Sequence, residues 1–126
     1  MIYETIYKHL ISIVPEILEP TFDGRTLTSP TPGHKDLEIT LINSSPDQLH
    51  IAIGWYITHL GPILPDPEME IAIHPGKQQA EALSHEDTLS HRIVYSDVNQ
   101  ANPAIQRELN QFLLEWLQRI LDRGYR

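Results

Sequence analysis

The sequence predicts an α+β fold, with a helix, an antiparallel sheet and a second helix in chain order. Three observations predict it. Apolar residues recur at helical spacing near both ends, they alternate with polar residues in between, and clusters of Pro, Gly, Asn and Asp separate the alternating runs. The 126 residues fit one domain, spanning 1–126, and can bury a core without staples.

The first segment sets Ile2, Ile6, Leu10, Ile13, Val14 and Ile17 at helical spacing, flanked by Tyr3 and Tyr7. Pro15 lacks an amide hydrogen and clashes with the turn before it, so the helix should end or kink near Val14. Its early Glu4, with no small-residue cleavage site, reads as a folded helix rather than a signal peptide. Residues 19–35 are rich in Pro and Gly and predict a loop, with a short edge strand at 25–28.

Alternation then takes over. Leu37, Ile39 and Leu41 share one face of a strand, with Glu38 and Thr40 on the other. Leu49, Ile51, Ile53, Trp55 and Ile57 point inward from the next, opposite His50, Ala52, Gly54, Tyr56 and Thr58. The stretch "LGPILPDP" reads as a proline-rich connection. Met69, Ile71 and Ile73 face inward from a third strand, with Glu70, Ala72 and His74 opposite. Pro75–Gly76 is a turn, and "QQAEALSH" and "HRIVYS" are two further strands around "EDTL". The count is about five strands in a half-solvated antiparallel sheet. The last helix has clear ends: Asn102 can cap it, Pro103 suits its first position and Gly124 suits the position that ends it.

Composition excludes several classes. No cysteine is present, which removes disulfides, thiolate metal sites and cysteine nucleophiles and points weakly to the cytoplasm. Net charge is −8 and the cations are scattered, so neither nucleic acid nor an anionic membrane is an expected partner. No apolar run is long enough to span a bilayer. No serine sits in a G-x-S-x-G elbow, and "TPGHK" and "HPGK" do not resemble a phosphate loop, so no cofactor is expected.

Two constellations could carry chemistry. On the solvated sheet face, His50, Tyr56, Glu70, His74 and Glu81 could pair across strands for acid–base work or ligand binding. Solvated polar residues of a half-buried sheet explain the same pattern. His85 and His91 flank a hairpin and, in a symmetric register, would be cross-strand neighbours able to share a metal, with Glu86 and Asp87 nearby. A polar hairpin tip in water explains them equally, and two histidines without a fixed third ligand do not specify a metal.

The segment Leu109 to Leu117, "LNQFLLEWL", resembles the "LN-x-FL-x-EWL" helix of the YqiB-like family of bacterial proteins of unknown function. Tyr95 and Pro103 precede it at similar spacing, and "PDPEMEIAIH", "QAEAL" and the Tyr7–Leu10–Pro15 pattern are similar as well. Ala104, Ile105 and Gln106 stand where that family has Asp-Glu-Lys, and Pro75–Gly76 replaces an Asp-Ala. The resemblance implies a small bacterial cytoplasmic protein and brings no activity. His74, Glu81, Asn110 and Glu115 are its matched polar positions.

At about 100° per residue, Leu109, Phe112, Leu113, Trp116 and Ile120 form the core stripe of the last helix. Leu114, Leu117 and Leu121 form a shoulder beside it, wider than one core-facing stripe needs. Packing by the first helix, a C2 homodimer and a ligand groove are the three accounts of that shoulder. The residues therefore describe a cytoplasmic binding or accessory module acting on an unidentified protein or small ligand. The alternative is a small metal-dependent or His/Glu-based hydrolase.

Overall fold

A computed structural model describes residues 1–58, 61, 63–96 and 100–126. Helix α1 spans Ile2–Ile13, followed by a short 3-10 turn at Pro15–Leu18. Six strands follow: β1 Gly24–Leu27, β2 Leu37–Ser44, β3 Leu49–Thr58, β4 Ile63–His74, β5 Gln79–Glu86 and β6 His91–Ile93. They form one antiparallel sheet in sequential order, and helix α2, Pro103–Arg123, closes the described architecture.

The expected helix boundaries are present. α1 stops before Pro15, its last turn closed by Val14 N–H donating to the Leu10 carbonyl at 2.8 Å. Asn102 caps α2, its side-chain oxygen accepting from Ala104 N and Ile105 N, and Gly124 ends it in the left-handed region at φ 75°. The short edge strand lies at Gly24–Leu27, within one residue of the expected place.

One element departs from expectation. "LGPILPDP" is not purely a connection, because β4 begins at Ile63 and takes in Pro65 and Pro67, the latter after a cis peptide bond. β5 joins β4 only from Glu68 onward, whereas Pro65 lies opposite Tyr56 of β3. Residues 63–67 thus have a strand on one side only, and a proline can turn its missing donor to the free side.

Both helices pack against β5 and against each other, so they cover one face of the sheet. Ile39, Ile51, Ile53, Met69, Ile71, Ile73, Ala80 and Ala82 are buried on that face. From α1 come Ile6, Leu10 and Ile13, and from α2 come Leu109, Leu113, Trp116, Leu117 and Ile120. Leu117 is fully buried and belongs to the core, while Phe112, expected in the stripe, is half-buried at its rim. The cause is α1, which lies alongside α2 and widens the buried sector. Burying Leu117 contributes about 1.5–3 kcal/mol. The shoulder that remains is Leu114 and Leu121, each partly buried against the core.

Irregular pairing in the ladder decides which side chains face out. The register shifts between Glu70 and Ile71 of β4, so that Ile71 faces Ala82 and Glu70 faces Ser84, leaving Leu83 of β5 unpaired. A bulge of one residue reverses the alternation beyond it. Ala80 and Ala82 face the helices, but past Leu83 it is His85, opposite Met69, that does so.

Candidate functional site

The sheet face away from the helices is built in rows across β3, β4 and β5. His50, Ala72 and Glu81 are in register; so are Ala52, Glu70 and Ser84, and so are Gly54, Glu68 and Glu86. Each row carries one Ala or Gly, which leaves room for the longer side chains to lean across it. Glu38 of β2 extends the Gly54 row. The two strand arginines lie elsewhere: Arg25 is opposite Ile39 and bound to Glu16, and Arg92 is opposite His85 and bound to Glu108 of α2. Among the described strand residues this face holds Glu38, Glu68, Glu70, Glu81 and Glu86, with no Lys or Arg.

The four residues singled out from sequence come together here as two pairs. His50 Nε2 lies 2.7 Å from Glu70 Oε1, and His74 Nε2 lies 3.3 Å from Glu81 Oε2. Glu81 also accepts the Tyr95 hydroxyl on Oε1 at 2.8 Å, so both its oxygens are engaged. Burial, and then the Glu81 hydrogen bond, push the Tyr95 phenol up to about 12, which keeps it a neutral donor. Tyr56 donates to Glu68 Oε2 at 2.5 Å, and burial together with that carboxylate holds its phenol well above the ordinary tyrosine value.

A recess of about 270 Å³ opens in this face beside β6, lined by Glu70, Leu83, Ser84, His91, Ile93 and Tyr95. Ser84 is 8% exposed at its floor. Tyr95, Glu68 and Ser84 complete the site. The alternation of "HRIVYS" was the available signal for Tyr95. Ser84 had no such signal, because without the Leu83 bulge it alternates onto the covered face.

The histidine pair near the hairpin does not assemble. His85 lies opposite Arg92, and Glu86 lies opposite His91, one residue off the symmetric register. Consecutive strand residues face opposite ways, so His85 points toward the helices and His91 toward the uncovered face. The His85 ring packs edge-on against Phe112, with centroids 4.9 Å apart. Burial lowers its pKa from the ordinary value, and Nδ1 has no hydrogen-bond partner. Asp87 accepts the backbone amides of Leu89 and Ser90, both at 2.8 Å; those bonds shape the turn and lower its carboxyl pKa. Among the described residues, no group of three or more His, Asp or Glu side chains is placed to hold a metal ion. Among the same residues, no helix is long and apolar enough to cross a membrane.

Residues 5–126 match the model of a family described as a domain of unknown function, DUF6908. No curated protein and no solved structure matches the chain.

Proposed function

The chain belongs to the DUF6908 family, a domain of unknown function, and we propose that it is a small association module whose working surface is the uncovered face of the sheet. One observation carries this reading: that face combines a recess floored by the nine-tenths-buried Ser84 with carboxylates held in place by hydrogen bonds. Fixed acceptors on a flat sheet form a receptive surface for a partner bearing positive charge, and the charge speeds encounter as well as binding. The pairs His50–Glu70 and His74–Glu81 serve this reading by fixing carboxylate orientation. The absence of cysteine supports a cytoplasmic setting. The likeness of Leu109–Leu117 to the YqiB-like helix rests on those motif residues.

A tetralysine peptide tests the reading, with a tetraglutamate peptide as control, followed by backbone amide shifts of the full chain. The lysine peptide should perturb residues of β3, β4 and β5 on the Glu68, Glu70 and Glu81 rows, and salt should weaken the effect. Equal responses to both peptides, or shifts confined to α1 and α2, would overturn it.

A second reading, acid–base hydrolysis, draws on the 2.7 Å His50–Glu70 pair, in which a carboxylate that lies opposite Ser84 in the ladder orients an imidazole. It requires turnover of an activated ester that disappears in His50→Gln. Turnover that persists in the variant removes His50 from the reaction.

A further inference from the structure

The recess beside β6 differs from the rest of the uncovered face. Leu83 and Ile93 give it apolar walls, Tyr95 adds an aromatic ring, and Glu70, Ser84 and His91 bring polar atoms. Each of those three polar groups can accept a hydrogen bond, the imidazole in its neutral form. Among the described residues, no Lys or Arg lines the recess. Ser84 is 8% exposed, and its hydroxyl has no partner among the described residues. Glu70 and Ser84 are directly opposite in the β4–β5 ladder, which sets their Cβ atoms about 5 Å apart. Glu70 Oε1 is anchored on His50 Nε2, leaving Oε2 for something else.

The shape and polarity of the recess select a ligand class. An alkylammonium group has three N–H donors, one positive charge and an apolar stem, matching three acceptors, one carboxylate and apolar walls. A guanidinium is a planar fork suited to two free carboxylate oxygens, and Glu70 has one engaged. An anion would be repelled by Glu70. A neutral alcohol fits the walls but forgoes the charge-assisted bond.

We infer that the recess between β5 and β6 binds a primary alkylammonium group. Glu70 and Ser84 take its hydrogen bonds, and Leu83, Ile93 and Tyr95 pack its stem. This inference rests on the uncovered face being the binding face, and it specifies the chemistry at one point on it. The group can arrive on a free amine or on the lysine side chain of a partner.

The test titrates the full chain with n-pentylamine, n-pentanol and pentanoate, and separately with N-acetyl-lysine amide. Amide shifts and calorimetry provide the readout. Pentylamine should shift Leu83, Ser84 and Ile93 and bind about tenfold or more tightly than pentanol, the usual weight of a charge-assisted hydrogen bond. Pentanoate should not bind. Glu70→Gln should abolish the preference for the amine, and Ser84→Ala, which keeps the small volume, should weaken it. Response to the lysine amide but not to pentylamine assigns the site to a partner's side chain, whereas response to both admits free amines. Equal affinity of pentanol and of whichever amine responds, an unchanged preference in Glu70→Gln, or no shift at Leu83, Ser84 and Ile93 with either amine overturns the inference. If tetralysine still perturbs the Glu68 and Glu81 rows, only the recess assignment has failed. If nothing perturbs the face, both have.

Discussion

Asn110 of α2 reaches into the sheet: its Oδ1 accepts the backbone N–H of Ala82 at 2.8 Å. β6 pairs with β5 only at Ser84, His85 and Glu86, so Ala82 lies beyond the end of that strand. The helix side chain supplies the acceptor that a longer β6 would have offered. Asn110 is 2% exposed, and its Nδ2 donates to the Gln106 carbonyl at 2.8 Å, which fixes the amide orientation.

Replacing Asn110 by Leu should therefore cost about 1–3 kcal/mol, because it leaves a buried amide without a partner. Urea denaturation measures it, with accelerated hydrogen exchange at the Ala82 amide as the local signature. An unchanged midpoint and unchanged exchange would show that the bond is dispensable.

Asn110 also marks how far the residues could be read in advance. Its place in the last helix, as one of the matched polar positions, was legible, but its partner was not. That partner is an amide in β5 freed by the shortness of β6, and strand length is set by tertiary pairing rather than by local pattern. The same limit applies to His85. Alternation alone places Ser84 inward and His85 outward; the Leu83 bulge inverts both, and nothing in "EALSHE" announces a bulge. The helix caps, by contrast, were fully legible, because Asn102, Pro103 and Gly124 act within one turn of chain. The pairs His50–Glu70 and His74–Glu81 were legible as a face but not as pairs, since diagonal contacts depend on register.

His85 should make stability depend on pH in a defined direction. Burial lowers its folded pKa below that of the unfolded chain, about 6.5. The unfolded chain then takes up a proton first as pH falls, so the contribution is intact above about 6.5 and is lost below it toward the folded pKa. Denaturation midpoints at about pH 7.5 and about pH 5.5 should differ more for the wild type than for His85→Leu. Equal differences would show that this imidazole does not govern the acid limb.

The two leucines Leu114 and Leu117 should separate packing from association. Leu117→Ala removes a fully buried side chain and should cost about 2–5 kcal/mol. Leu114 is only partly buried, so Leu114→Glu should keep the fold. We propose that two copies associate through Leu114 and Leu121, the part of the shoulder that α1 leaves open. Light scattering should then give twice the chain mass for the wild type and the single mass for Leu114→Glu. The same mass for both removes the homodimer.

Gly54 should control the position of Tyr56. A Cβ at Gly54 would lie 3.0 Å from the Tyr56 ring and hydroxyl and 3.1 Å from the Pro67 carbonyl oxygen. Gly54→Ala must therefore displace the ring from its place across the backbone, straining the 2.5 Å bond to Glu68. Overpacking of this kind typically costs about 1–3 kcal/mol. The more specific sign is the phenol itself. Burial and the Glu68 carboxylate raise its pKa, so a displaced, better-solvated Tyr56 should ionise at lower pH. Ultraviolet titration compared with a Tyr56→Phe control isolates that group. A Gly54→Ala protein whose Tyr56 titrates as in the wild type would mean that the backbone moved instead of the ring.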